Sequence, residues 1–423
     1  MRIAAGRLHN HLVRAVVPAT MNPGADSLRP ATNLYDGRPS TVAAFGSIQA
    51  DSNVSADLNI VRNSGFEVSP IIGSGWQMAT GTGTFTANST PLTPVAGGFY
   101  GTLNHTAATM AWQDVACVPG QMMKLGWNIH GSGGVAGAVR VYNPLTGRYL
   151  QLDGSWHTTA VDLDSHAADS WKAGSKIFAI EPSTVIGKDT TVLRVIVRTS
   201  ASGSAHFDEL IFYPGTDLIA VLGHNITPLL TPQFITFTLV PATTTVRATL
   251  IPRRRSFYAL LAAPIFERYV RLGLAGTPDL EAPKIGELIF TQTRQLPRAP
   301  IFPVRFNGKY QQVRNETPGA EQWRVRLATD ETREVPMTFR WKTEAEHQEL
   351  RDYLFRMSSG GFYPALLVPE RGDPSQAYWG DEAGDLLYGW LEEEVGVTCE
   401  TRTEGGEIVR TTEVRLAEAP FPR

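Results

Sequence analysis

The chain has 423 residues, 42% hydrophobic and 19% charged, which is long for one core, suits two to four domains and excludes whole-chain disorder. Its net charge of −3 offers no concentrated basic face to a phosphate backbone, and no run of 18 apolar residues is present to span a membrane. From the N-terminus, Met1 to Val17 carries Arg2, Arg7, His9, His11 and Arg14 where a secretory leader needs an apolar stretch, so synthesis and assembly in a cytoplasm are expected. The two cysteines, Cys117 and Cys399, are far apart and read as small buried residues rather than a disulfide or a zinc site.

Alternating, β-branched segments dominate. Thr191 to Val197, Gln233 to Leu239 and Glu321 to Leu327 predict strands, and the 39 glycines and 28 prolines supply the turns between them. Leu218 to Ile226 reads as a buried strand running into a turn, where His224 and Asn225 cap backbone groups rather than catalyse. Arg268 to Leu272 and Ile285 to Leu288 read as further strands. One helix is predicted over Thr343 to Met357. Thr343 and Glu346 form its capping box, Leu350, Tyr353 and Leu354 share a face, and Gly360-Gly361 stops it.

Charge is unevenly spread. Residues 301–423 carry 15 basic and 22 acidic groups, while residues 57–215 carry 9 and 11, so the flanks of the middle segment are basic. Arg253-Arg254-Arg255 with Phe257-Tyr258 reads as a surface turn or a contact to an acidic stretch such as Glu392-Glu393-Glu394. Arg371-Gly372-Asp373 reads as a turn. No G-x-S-x-G, H-E-x-x-H, P-loop or G-x-G-x-x-G signature occurs, so no enzymatic role is expected.

The middle segment opens with Asn63-Ser64-Gly65-Phe66-Glu67 and then Gly75-Trp76, passes through Trp112-Gln113-Asp114-Val115 and Val118-Pro119-Gly120, and closes with Phe207-Asp208-Glu209-Leu210-Ile211. In order and spacing it resembles carbohydrate-binding modules of the family-4/9 type. Before it, Asn33 to Thr41 resembles the first strand and turn of a discoidin-like, galactose-binding jelly roll, whose remaining strands then lie after residue 215. The runs Leu218 to Thr227, Arg268 to Gly276 and Ile285 to Phe290, and Thr338 to Glu346 followed by Phe362-Tyr363-Pro364, resemble tail proteins of tailed bacteriophages.

These resemblances imply a mainly β chain of nested jelly-roll, galactose-binding-like β-sandwiches with a C-terminal β-domain bearing one helix. The expected division is 1–56, the first part of the outer jelly roll; 57–215, the inserted module; 216–298, the rest of the outer jelly roll; and 299–423, a tail-type docking domain. They imply a structural protein of a phage tail, at its tip or distal region. It would be part of a virion assembled in the host cytoplasm, in a symmetric homo-oligomeric ring with other tail proteins, touching host cell-surface glycan.

The resemblance also implies a structural Ca²⁺ between Glu67 and Asp208; the residues equally allow both carboxylates to accept hydrogen bonds from turn N–H groups with no ion. For sugar, stacking aromatics are needed. Trp76, Trp112 and Trp127 sit in regular strand patterns and are expected in the core. Tyr142, Tyr149 and Trp156, in a loop-like stretch, are the expected carbohydrate-binding residues.

Overall fold

A computed structural model describes residues 2–418 except 6–8, 23, 26, 28, 36–42, 46, 48–50, 80–82, 108, 182–189, 228, 239–242, 253–255, 277–281, 297–299, 301–306, 317–321, 352–353, 355–362, 369–385 and 403–407; the side chains of 51, 307–316, 322–333, 393–402 and 408–409 also lie outside the description. The chain is mainly β. Its described strands form five antiparallel sheets.

Two sheets enclose the core of the middle segment. One runs, in spatial order, Trp156–His157, Arg148–Leu150, Gly137–Asn143, Thr191–Thr199, Met110–Cys117 and Gln77–Met78, with Asp164–His166 added to Gly137–Asn143. The facing sheet runs Trp171–Ala179, Met122–His130, Gly203–Pro214, Tyr100–His105 and Thr84–Asn88. Strand alternation sends Val139, Val141, Val195 and Val197 inward from the first sheet and Leu125, Trp127, Ile129 and Phe207 inward from the second. Trp76 and Trp127 are buried, as their strand patterns predict; Trp112 is only half-buried and belongs to the outer face of the first sheet.

The sheets on either side of this segment are made by strands that precede and follow it. Asp51–Asp57 pairs with Tyr269–Gly276, and Ala43–Ala44 pairs with Lys284–Thr291. The chain leaves and returns at one point, where the Ile60 N–H donates to Phe212 O and the Leu58 N–H donates to Arg268 O. Asn59 fixes the crossing. Its Oδ1 accepts from the N–H groups of Val61 and Phe212, and its Nδ2 donates to Val61 O and Ser64 Oγ, at 2.9–3.2 Å.

Thr216–His224 is the central apolar strand. Ile219 and Val221 face the core shared with Phe234, Val270 and Leu272, whereas Leu218, Ala220 and Leu222 pack against Ala4, Leu366, Val368 and Tyr388. Burial on both faces explains why its sequence is continuously apolar rather than alternating. At its end the Ile226 N–H donates to His224 Nδ1, and Asn225 Oδ1 accepts from the Lys284 N–H while its Nδ2 donates to Ala282 O.

Two local structures differ from expectation. Arg2–Ala5, expected in the outer jelly roll, is instead a strand between Arg294–Gln295 and Ala365–Val368 in the C-terminal sheet. The reason is burial: Ile3 enters one apolar cluster and Ala4 another, so four residues seal both faces of that sheet. Ala31–Tyr35, expected to begin a strand, is a short 3₁₀ turn with the Asn33 N–H bonded to Pro30 O and Leu34 buried; residues 36–41 lie outside the described residues. The helix is described over Glu344–Arg351. Its capping box is present, with the Glu346 N–H donating to Thr343 Oγ1 at 3.3 Å and the Thr343 N–H to Glu346 Oε2 at 3.2 Å. Tyr353, Met357, Gly360-Gly361, Arg253 to Arg255 and Arg371 to Asp373 lie outside the described residues.

Candidate functional site

The outer face of the sheet containing Gly137–Asn143 gathers aromatic and charged side chains into one row. Tyr142 and Tyr149 are direct cross-strand partners, with ring centroids 4.7 Å apart. On its other side Tyr142 is in register with Arg194, and Arg194 with Asp114. The Arg194 guanidinium binds Asp114 in a two-bond fork of 2.8 and 3.0 Å and lies 4.8 Å from the centroid of the Trp112 ring. The Asp114 hydrogen bond holds Arg194 above its ordinary pKa, so the cation stays fixed between the tyrosines and the indole.

Below this row Asp162 takes guanidinium groups from both Arg140 and Arg198, the Arg198 fork measuring 3.0 Å for each bond. Partial burial works to raise the Asp162 carboxyl, yet hydrogen bonds from Arg198 and Arg140 leave it below the usual carboxylate range. The face therefore presents half-buried aromatic rings beside immobilised polar groups. That combination suits a ligand with apolar C–H faces and many hydroxyls.

Trp156 does not join the tyrosines. It pairs with Leu150, one residue out of phase with Tyr149, so alternation turns it toward the core. Its ring meets Phe178 edge-on at 6.2 Å and its indole N–H donates to Ala179 O. His157, opposite Tyr149, takes the place on the tyrosine face. Trp112 was expected in the core, and Arg194 and Asp114 were not expected beside the tyrosines, because all three come from strands whose neighbours only the sheet order reveals.

Glu67 and Asp208 converge on one loop. Asp208 Oδ2 accepts from the N–H groups of Val95 (2.7 Å) and Ala96 (3.1 Å), and its Oδ1 accepts from Glu209 N–H. Glu67 Oε1 accepts from Gly98 and Phe99 N–H at 2.9 and 3.2 Å. Phe66 (φ 58°) and Glu209 (φ 47°) adopt left-handed backbone conformations next to these carboxylates, and the strand register shifts between Asp208 and Ile211. Burial lifts the Asp208 carboxyl to about 6 despite its three N–H donors. The groups meeting both carboxylates are amide donors. The pair thus caps the amide groups of one loop, one of the two arrangements that the sequence allows.

A cleft of about 870 Å³ lies beside this loop, where the two sandwiches meet. Its charged lining is largely neutralised: Arg268 forks onto Asp57 at 2.9–3.2 Å and lies 3.7 Å from Glu209, and Glu267 pairs with Arg247.

No protein-family profile matches the chain, and no curated protein matches it. Among solved structures, it is similar to the enzymatically active domain of bacteriophage CBA120 tailspike protein 4, at 15% identity over 37% of this chain and 21% of that one, with a TM-score of 0.27. It is similar to TmCBM61, solved in complex with β-1,4-galactotriose, at 15% identity over 37% of this chain and 98% of that one, with a TM-score of 0.26. A third is the C-terminal family 22 carbohydrate binding module of Clostridium thermocellum Xyn10B, at 17% identity, 37% and 92% coverage and a TM-score of 0.27. Likeness at this level carries no statement about the activity of this chain.

Proposed function

We propose that this chain is a structural protein of a phage tail whose segment 57–215 is an inserted glycan-binding module. The observation that carries the glycan reading is the outward row Tyr149–Tyr142–Arg194–Asp114 with Trp112 beside it. Tyrosine and indole rings stack on sugar C–H faces, while Arg194, Asp114 and Asp162 direct hydroxyl groups. Because the arginines are held by carboxylates before a ligand arrives, little side-chain entropy remains to be lost on binding.

The tail assignment rests on the sequence resemblances around Ile219 to Thr227, Tyr269 to Gly276 and Thr338 to Glu346. In this reading the outer sandwich and the C-terminal sheet anchor the chain in a symmetric ring, and many weak sugar contacts add into useful avidity. A purely architectural role for the inserted module is the competing reading. A glycan array probed with the full chain, together with adsorption to host cells, separates the two. Retention on at least one glycan class supports binding; uniform failure on glycans and cells leaves the architectural role.

A further inference from the structure

The opposite sheet of the middle segment carries a second cluster on its outer face, unconnected to the tyrosine row. His130 and His206 are direct cross-strand partners, with ring centroids 5.5 Å apart and planes at 68°. Each uses only its Nδ1. His130 Nδ1 bonds to Gly131 O, a pure acceptor, so Nδ1 carries the proton and Nε2 keeps its lone pair. His206 Nδ1 lies 3.0 Å from Thr102 Oγ1, which also accepts from Asn88 Nδ2 at 2.7 Å. An Nδ1–H bond to that hydroxyl leaves His206 Nε2 free as well.

Neither Nε2 has a hydrogen-bond partner, although His130 is only 6% exposed. Two residues earlier on the same face, Asn128 is 7% exposed and its side-chain amide makes no hydrogen bond. Trp171 closes one side, edge-on to His130 at 5.3 Å, and its indole N–H is tied to Thr93 O. Two imidazole nitrogens and a side-chain amide, side by side on one sheet face and without protein partners, are available to a ligand.

We propose that His130 and His206 bind one divalent transition-metal ion, Zn²⁺ or a chemically similar cation, through their Nε2 atoms, with Asn128 Oδ1 and water completing the shell. Metal–nitrogen bonds of about 2.0–2.1 Å at a tetrahedral angle place two imidazole centroids about 5 Å apart, close to the spacing in this pair. Anchoring Nδ1 to Gly131 O and Thr102 Oγ1 is the outer support that fixes tautomer and ring orientation in histidine metal sites. The site is independent of any glycan bound on the opposite sheet.

Calorimetric titration of the full, metal-stripped chain with Zn²⁺ tests the site, alongside His130→Gln, His206→Gln and the exposed control His157→Gln. The expected result is one ion per chain, with affinity reduced roughly tenfold or more in each of the first two variants and unchanged in the control. Melting temperatures in chelator establish that the variants fold. A second readout needs no substitution: one equivalent of Zn²⁺ should shift the Nε2 resonances of His130 and His206 together. Binding undiminished in either variant, no saturable binding, or shifts confined to other histidines would overturn the proposal.

Discussion

Glu67 and Asp208 hold the two ends of one loop, Asp208 through the N–H groups of Val95 and Ala96 and Glu67 through those of Gly98 and Phe99. Asp208 lies where the register of Gly203–Pro214 shifts and Glu67 follows the start of the module, so the loop is fastened to both ends of the module's sequence. Removing the Glu67 carboxylate leaves two N–H groups without acceptors, and removing that of Asp208 leaves three. Asp208→Asn should cost about 1–3 kcal/mol in urea unfolding, since an amide nitrogen cannot replace Oδ2.

The pH dependence of that cost has a defined sign. Burial puts the Asp208 carboxyl at about 6, above the ordinary carboxylate value of about 4. The folded state therefore binds the proton more tightly than the unfolded one. Stability from this group is complete below about pH 4 and is lost as pH rises through about 6. The stability of the wild type minus that of Asp208→Asn should fall across this window by as much as about 3 kcal/mol, because the variant lacks the titrating group. His206, shifted the opposite way, cancels in the difference. A flat difference would contradict the assignment, and a rise with pH on adding Ca²⁺ would identify a bound cation.

Asn59 should matter more than its size suggests. It makes four hydrogen bonds where the chain enters and leaves the middle segment. Asn59→Ala strands the N–H groups of Val61 and Phe212 in a buried place, and a loss of about 2–4 kcal/mol is expected. Thermal melts check this. A loss under about 0.5 kcal/mol, the range of an ordinary surface substitution, would show that the crossing is held by other contacts.

Ile3→Ala tests the N-terminal strand. Ile3 is fully buried among Val335, Met337 and Leu367, so its truncation should cost about 2–5 kcal/mol. Hydrogen exchange should speed up in Ala365–Val368, its hydrogen-bonded neighbour. Unchanged protection there would contradict the pairing.

What the sequence reveals tracks how local the physics is. The capping box at Thr343 and Glu346 is readable because it lies within one turn, and Leu218 to Leu222 because burial on both faces leaves an unbroken apolar run. The meeting of Glu67 with Asp208 was expected from motif order, but the partners they share are backbone N–H groups of residues 95–99, which no side-chain pattern marks. Tyr142 and Tyr149 were grouped by proximity in sequence. Trp156 was grouped with them for the same reason, although the pairing Leu150 with Trp156 turns it inward. Arg194 lies far along the chain from Tyr142, and His206 farther still from His130, so only strand register brings each pair together. Arg2–Ala5 is too short to show a period at all.

The most direct test of the glycan reading is the affinity of the full chain for a glycan retained on the array, compared with a Tyr142→Ala/Tyr149→Ala double variant of equal melting temperature. Losing two stacking rings should cost about 1.4 kcal/mol or more, a weakening of roughly tenfold. Equal affinity in the double variant, or no retained glycan for the wild type, would contradict the account.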